Sequence, residues 1–191
     1  MKLVSILGSP RKNGNSAILT QDVIDIAEQS NASIQSFHLN QLNYKGCQAC
    51  MACKTKTDHC VIKDDLQDVL TAIRDCDILV LASPVYFADV TSQMKGLIDR
   101  TYSFLVPDFL SKPQPSRLQS GKTLIFILPQ AQPDEKMFAD LYPKYEFFLK
   151  IMGFTNAYPV RACGVLEAGS VKERSDIRDK VREIAQNIFG A

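Results

Sequence analysis

Four cysteines lie close together in the first third of the chain, and clustered thiols can support metal or redox chemistry. They follow the spacing Cys-x2-Cys-x2-Cys-x6-Cys, as Cys47, Cys50, Cys53 and Cys60. The two short spacers bring three thiolates to one side of a small centre, and the longer spacer lets the fourth close it, as in cubane clusters. The spacing therefore indicates a [4Fe–4S] cluster, with bare thiols or a thiol–disulfide relay as alternatives. Zinc is a further alternative, although structural zinc more often takes two separated cysteine pairs.

A second group of candidate residues follows the first apolar run of the chain. This segment reads Gly8-Ser9-Pro10-Arg11-Lys12-Asn13-Gly14-Asn15-Ser16. Its small residues permit a tight turn, the side chains of Ser9, Asn15 and Ser16 are donors, and Arg11 carries a planar fork suited to phosphate oxygens. A helix that begins here adds positive potential at its N-terminus. The segment therefore predicts a phosphate-binding loop, and the alternative is an ordinary turn in which Asn15 or Ser16 only caps the helix.

The third group of candidates follows the third predicted strand. This segment reads Ser83-Pro84-Val85-Tyr86-Phe87-Ala88-Asp89-Val90. Pro84 stiffens the turn, backbone N–H groups from Val85 to Phe87 can face a planar ring, and Tyr86 and Phe87 add aromatic surface. A flavin ring needs such an apolar wall with amide donors. The alternative is that the two aromatic side chains only fill the core, but together with a phosphate loop the segment favours FMN.

These segments need a scaffold, and apolar runs of strand length alternate with helical periodicity along the whole chain. Strands are predicted over 3–7, 33–39, 77–82, 124–128 and 158–163, and helices over 16–30, 64–73, 91–104 and 135–152. A last helix carries an apolar stripe of Ile177, Val181, Ile184 and Ile188. This alternation predicts one α/β domain over 1–191, a three-layer doubly wound sheet of five parallel strands in the flavodoxin-like order 2-1-3-4-5. The cysteines fall in a long loop over 40–63.

Composition and charge narrow the class of protein. The apolar fraction of 46% and the charged fraction of 23% are ordinary for a globular domain. A formal charge of +1 gives no electrostatic reason to expect a nucleic acid or a membrane surface as partner. The apolar run at the amino terminus is too short for a signal peptide, and no stretch is long enough to span a bilayer. We therefore expect a cytoplasmic protein whose cysteines do not form a disulfide framework.

Two motifs together resemble the NAD(P)H-dependent FMN reductase and iron–sulfur flavoprotein family. They are Gly8-Ser9-Pro10-Arg11 with Asn13-Gly14-Asn15-Ser16, and Ser83-Pro84-Val85-Tyr86 followed by Gln93-Met94-Lys95-Gly96-Leu97-Ile98-Asp99-Arg100. The resemblance implies phosphate contacts at Ser9, Arg11, Asn13, Asn15 and Ser16. It implies flavin-ring contacts at Pro84, Val85, Tyr86 and Phe87. The four clustered cysteines match the compact motif of the iron–sulfur flavoproteins.

The resemblance also implies an activity. The expected function is an FMN-dependent NAD(P)H oxidoreductase that passes electrons to a quinone, a flavin or another acceptor, through the cluster where one is bound. The nicotinamide would bind transiently, and no side chain is expected to act as a catalytic acid or base. Family members are typically homodimers or homotetramers in which a neighbouring subunit helps to cover the flavin. The alternatives are a non-catalytic electron carrier, which the neutral charge and Arg11 disfavour, and a redox-sensing module that binds flavin or metal.

Three remaining features are expected to be secondary. The loop after the fourth strand reads Pro-Gln-Ala-Gln-Pro over 129–133 and lacks the glycine usual in the family, so the side chain of Gln130 is expected to replace a backbone donor. Asp64 and Asp65 look like a carboxylate pair but are expected only to cap a helix. The run Ser120-Gly121-Lys122-Thr123 resembles the end of a nucleotide-binding loop, but it leads into a strand rather than a helix.

Overall fold

The computed structural model describes residues 1–190, and its sheet confirms the predicted class of fold. Five parallel strands are hydrogen-bonded in the order β2-β1-β3-β4-β5. The strands are β1 (Lys2–Leu7), β2 (Ser33–His38), β3 (Ile78–Ala82), β4 (Thr123–Pro129) and β5 (Asn156–Ala162). All five therefore end at one edge of the sheet, where the predicted phosphate loop and the predicted aromatic loop begin.

Helices cover both faces of this sheet. They are α1 (Asn15–Gln29), α2 (Ala52–Thr55), α3 (Leu66–Asp75), α4 (Ser92–Arg100), α5 (Leu141–Ile151) and α6 (Ser175–Phe189). Helices α1 and α6 pack on one face, and α3, α4 and α5 pack on the other. Neighbouring residues of a strand point to opposite faces, so Val80 and Leu81 of β3 belong to different cores and are both buried. This explains why β3 is apolar at every position.

The last helix differs from its predicted apolar stripe in its second half. Ile177 and Val181 are buried as expected. The stripe then continues through Ala185 and Phe189, whereas Ile184 and Ile188 are only partly buried. Residues four apart form a row along a helix, and this row is the one that packs toward the sheet and α1.

The helix predicted over 135–152 is shorter in the structure. Residues 135–140 form turns, with Phe138 in the left-handed region at φ 61°, and α5 begins only at Leu141. Pro143 therefore lies in the first turn of the helix, where a backbone N–H has no partner within the helix in any case. The proline sets where a helix can begin here, which the apolar pattern alone did not indicate.

The cysteine-rich segment is largely irregular, as predicted. It follows a 3-10 turn at Leu39–Gln41 and contains only the single turn of α2. Ala49 and Met51 have left-handed backbone conformations, with φ of 51° and 57°. Among residues 1–190, no helix combines the length and apolar character needed to cross a membrane.

Candidate functional site

The two predicted ligand loops meet in one small cleft at the carboxyl edge of the sheet. The cleft has a volume of about 90 Å³. It is lined by Ser9, Arg11, Gly14, Asn15, Ser16, Pro84, Val85, Tyr86, Pro129, Ala131, Val165 and Leu166. Seven of the nine residues predicted to contact a flavin phosphate or ring therefore come together. Asn13 and Phe87 are exposed and do not line the cleft.

The loops after β1 and β3 are held together by a short hydrogen-bond chain. Thr91 Oγ1 donates to the carbonyl oxygen of Gly8 at 2.8 Å, and the backbone N–H of Thr91 donates to Ser83 Oγ at 2.9 Å. A Cβ atom on Gly8 would lie 2.9 Å from both Thr91 Oγ1 and Met94 Cβ. Only glycine fits this approach, so Gly8 lets the two loops share one cleft.

Ser16 has a buried hydroxyl at the start of α1. Its Oγ atom is buried and has no hydrogen-bond partner within residues 1–190. The residue lies in the first turn of α1, where backbone N–H groups also lack partners within the helix. Leaving a buried hydroxyl unpaired costs about 1–3 kcal/mol. A phosphate at this helix end would satisfy the hydroxyl and the free N–H groups together.

Two further residues shape this end of the cleft. Ser9 Oγ accepts a hydrogen bond from the backbone N–H of Arg11 at 3.1 Å, which holds the turn. The Arg11 side chain is exposed, and its Nη1 atom lies 3.4 Å from the carbonyl oxygen of Leu166 on the opposite wall. This contact is long and solvent-exposed, so most of the guanidinium donors stay available to an anion.

Asn15 has a different function from the direct phosphate donor that the loop motif suggests. Its Nδ2 atom donates to the carbonyl oxygens of Val165 at 3.0 Å and Glu167 at 2.9 Å. Its Oδ1 atom accepts from the N–H groups of Gly169 at 3.0 Å and Val171 at 3.2 Å. The amide is therefore used in positioning the segment after β5, which forms a wall of the cleft. The sequence pattern did not identify this wall, because the two residues that line the cleft from it, Val165 and Leu166, are apolar.

The aromatic loop after β3 offers fewer backbone donors than its sequence suggests. Val85 N–H donates to Pro129 O at 2.9 Å, and Tyr86 N–H donates to Asp89 O at 2.8 Å. Phe87 has a left-handed φ of 48° and a fully exposed side chain. Tyr145 donates a hydrogen bond to Asp89, and burial together with this bond raises the pKa of Tyr145. The loop is thus held from within the chain and presents aromatic surface outward.

The expectation for Gln130 is wrong. Its side chain is buried, and Nε2 donates to Gln132 O at 3.0 Å while Oε1 accepts from Arg161 Nη2 at 2.8 Å. Nε2 also lies 3.4 Å from the carbonyl oxygens of Asp134 and Met137. Because both ends of the amide are engaged inside the chain, Gln130 stabilises the loop after β4 and does not face the cleft.

The four clustered cysteines line a second cavity, which lies near the start of α2 and the end of α4. All four line this cavity of about 230 Å³, and all four are free thiols. Cys47 and Cys50 are exposed, whereas Cys53 and Cys60 are partly buried. In the described chain, no group of three or more His, Cys, Asp or Glu side chains has an arrangement that could hold a single metal ion.

A buried arginine connects this cavity to the protein interior. Arg100 Nε donates to Cys60 Sγ at 3.0 Å, and Nη1 donates to Asp64 Oδ2 at 2.7 Å. The remaining donors reach Asp64 Oδ1 and the carbonyl oxygens of Lys45 and Ile62. Asp64 therefore does more than cap a helix. Burial alone would raise the pKa of Asp64, but the hydrogen bonds from Arg100 and Lys45 outweigh it and lower that pKa.

Two more cations lie against the cysteine loop. Lys54 Nζ donates to the carbonyl oxygens of Tyr102 and Leu105 and lies 3.9 Å from the centre of the Tyr102 ring. Arg117 donates to the carbonyl oxygen of Cys53 at 2.8 Å and also to that of Leu105. Burial raises the pKa of the Cys53 thiol, and the two cations oppose that rise. Sequence reasoning missed these residues because 48 or more positions separate each of them from its carbonyl partners on the other segment.

The fold and the cleft define a doubly wound α/β protein with a cleft at the topological switch between β1 and β3. A sequence model of the family described as NADPH-dependent FMN reductase matches residues 1–131. The chain belongs to this family, which confirms the resemblance noted from its motifs.

Individual relatives agree with this assignment. An iron–sulfur flavoprotein of Archaeoglobus fulgidus is 38% identical over 100 residues, covering 52% of this chain and 45% of the relative. An iron–sulfur flavoprotein of Methanosarcina thermophila is 32% identical over 101 residues, covering 53% of this chain and 52% of the relative. The chain thus spans about half the length of the curated relatives it matches.

Two solved structures share the fold at low identity. An FMN-dependent NADH-azoreductase from Bacillus anthracis, in complex with FMN, has a TM-score of 0.74 at 13% identity, with 99% of this chain and 100% of that one covered. An NAD(P)H:quinone oxidoreductase from Methanothermobacter marburgensis has a TM-score of 0.75 at 12% identity, with 98% and 96% covered. At these identities the likeness supports the fold alone.

Proposed function

We propose that the chain binds FMN in the cleft between the loops after β1 and β3 and works as an NAD(P)H-dependent oxidoreductase. The observation that carries this proposal is the buried, unpartnered Oγ atom of Ser16 in the first turn of α1. Family membership and the position of the cleft at the switch point support it as well. The electron acceptor would be a quinone, a flavin or another oxidant.

The phosphate of FMN would be held at the start of α1. Ser9, Arg11 and Ser16 would supply side-chain donors, and Asn13 would contribute from the exposed part of the loop. Free N–H groups in the first turn of α1 would complete the site. Asn15 would act mainly through its backbone, because its side-chain amide positions the wall formed by residues 165–171.

The flavin ring would lie against Pro84, Val85, Tyr86 and the more distant Phe87. When bound, FMN supplies the hydride-accepting centre for a transiently bound nicotinamide. The side chains of this chain would bind and orient the ring and exclude water from one face. The exposed aromatic side chains of Tyr86 and Phe87 fit a site that a neighbouring subunit helps to cover, so we also propose a homodimer or homotetramer. The free state of all six cysteines supports a cytoplasmic location.

Flavin binding tests the phosphate site directly. We expect wild-type protein to bind FMN more tightly than riboflavin. Ser16→Ala removes a hydrogen bond to a charged group, so FMN affinity should fall roughly tenfold or more while riboflavin affinity stays unchanged. Ser175→Ala changes an exposed serine at the start of α6 and serves as the matched control. Equal affinity of wild-type protein for FMN and riboflavin would refute the site.

Anaerobic reduction tests the enzyme assignment. We expect NADPH or NADH to bleach the absorbance of protein-bound FMN, and a quinone or free flavin added afterwards to restore it. If the bound flavin stays oxidised with both nucleotides, the chain is an electron carrier or a redox-sensing module instead.

For the cysteine loop we propose a [4Fe–4S] cluster held by Cys47, Cys50, Cys53 and Cys60. Their shared cavity supports this, and so do the names of the iron–sulfur flavoprotein relatives. The charges around the cavity also fit an anionic group. Lys54 and Arg117 lie against the loop in addition to Arg100. The described hydrogen bonds of Lys54 and Arg117 go to carbonyl oxygens rather than to carboxylates.

Iron and acid-labile sulfide assays on anaerobically purified protein test this proposal. We expect about four of each per chain. Cys60→Ala should lose most of the iron, whereas Cys163→Ala, which changes a free cysteine outside the loop, should keep it. Zinc without sulfide would indicate a single-metal site, and the absence of both metals would indicate bare thiols.

A further inference from the structure

We infer that Arg100 is a positioning residue that raises the reduction potential of a cluster held by the cysteine loop. The negative charge of Asp64 partly offsets this effect. The inference rests on the proposed [4Fe–4S] cluster. It concerns how residues of this chain would adjust the reduction potential of that cluster, which the family assignment does not address.

The position of the Arg100 side chain is fully determined by its hydrogen bonds. The side chain has no exposed surface, and the guanidinium has five N–H donors. One donor goes to Cys60 Sγ at 3.0 Å, two go to the Asp64 carboxylate at 2.7 and 3.2 Å, and two go to the carbonyl oxygens of Lys45 and Ile62. No donor is left over, so the group cannot turn away from the sulfur without breaking several bonds.

The contact between Arg100 and Cys60 has an electrostatic consequence. A cluster becomes more negative by one charge when it accepts an electron, and a cation that donates a hydrogen bond to a ligand sulfur stabilises that state more than the oxidised one. A low-dielectric setting strengthens the effect, because solvent does not screen a buried guanidinium. Arg100 should therefore make reduction of the cluster more favourable.

Asp64 limits this effect. Its carboxylate pairs with Arg100 and also accepts hydrogen bonds from the backbone N–H groups of Lys45 and Leu66. The side chain of Asp64 is only 12% exposed, so its negative charge is also poorly screened. Substitutions of Arg100 and of Asp64 should therefore shift the reduction potential of the cluster in opposite directions. A general loss of structure would not produce such opposite shifts, so the pair distinguishes an electrostatic effect from a structural one.

The decisive measurement is the midpoint potential of the cluster in anaerobic, iron-replete protein. Electron paramagnetic resonance monitors the reduced cluster during the redox titration. We expect Arg100→Gln to lower the equilibrium constant for one-electron reduction at least tenfold, a fall of 59 mV. Arg100→Lys retains the charge and should recover part of this fall. Asp64→Asn should shift the potential upward.

Arg74→Gln serves as the matched control. It removes a partly exposed cation whose described hydrogen bond goes to the carbonyl oxygen of Asp58 rather than to a sulfur. We expect it to change the constant less than threefold, because surface charges are screened by solvent and salt. Iron content and thermal unfolding are measured on every variant, so that a shift in potential is compared only between folded, fully loaded proteins.

Each outcome decides the inference. If Arg100→Gln does not fold, Arg100→Lys decides it, because this change removes the hydrogen bond to Cys60 Sγ and should lower the potential. Unchanged potentials in iron-replete variants, or shifts of the same sign for both substitutions, would overturn the function of Arg100 and leave the cluster intact. Wild-type protein without iron and sulfide would overturn the cluster itself and, with it, this inference.

Discussion

The side-chain Nδ2 atom of Asn15 lies 2.9 Å from the carbonyl oxygen of Glu167, although the two residues are far apart in sequence. Through this and three further bonds, the start of α1 holds the segment after β5. The first residue of α1 thus positions the opposite wall of the cleft.

Asn15→Ala should therefore loosen that wall. The change leaves the N–H groups of Gly169 and Val171 without their acceptor, so we expect a loss of about 2 kcal/mol in the free energy of unfolding. Backbone amides over 165–171 should exchange faster with deuterium. Asn187→Ala, at an exposed position of α6, should change neither property. Unaltered exchange over 165–171 would show that the segment is held by its other contacts.

Lys122, in the run that resembles a nucleotide-binding loop, is predicted to have a structural function. Its buried Nζ donates to the carbonyl oxygens of Arg74 and Cys76 at the end of α3. Lys122→Met removes both bonds, so the free energy of unfolding should fall by about 1–3 kcal/mol in urea titrations. Lys180→Met, on the exposed side of α6, should have almost no effect. Equal stability of the two variants would contradict this assignment.

Asp22 is predicted to stabilise the packing of α1 against α6. Its buried carboxylate accepts hydrogen bonds from Arg178 Nε at 2.8 Å and Arg182 Nη2 at 2.9 Å. Asp22→Asn keeps the shape but removes the charge, and we expect a loss of about 2 kcal/mol in unfolding free energy. Asp25 is exposed on the same helix, so Asp25→Asn supplies the control. A loss no larger than in this control would mean that solvent already screens the two arginines.

Stability is predicted to fall in alkaline solution through the Tyr44 hydroxyl. Burial, with a smaller contribution from the carboxylate of Asp64, raises the pKa of Tyr44 from 10.0 to about 12. A pKa that is higher in the folded than in the unfolded chain favours folding below pH 10, and this contribution is lost as pH rises from 10 to 12. Urea midpoints measured across this range should decline less steeply in Tyr44→Phe. An identical slope in both proteins would refute the assignment.

The fold and the place of the site could be predicted from local patterns. A short continuous apolar run such as Ile78–Ala82 fits a strand buried on both faces. Five strand-length segments that alternate with helical segments then leave few topologies. Residues that directly follow β1 and β3 must then meet at one edge of the sheet. Ser16 and Tyr86 were found in this way, because adjacency to a strand end is a property of the sequence.

The pairing of side chains was decided only by the tertiary structure. The amides of Asn15 and Gln130 could bond either a ligand or the chain, and no residue type or spacing distinguishes these uses. Arg100 and Cys60 are 40 residues apart, and their contact depends on how α4 packs beneath the cysteine loop. A hydrogen bond needs its two atoms placed to within a few tenths of an ångström, and that precision arises only when every element has packed.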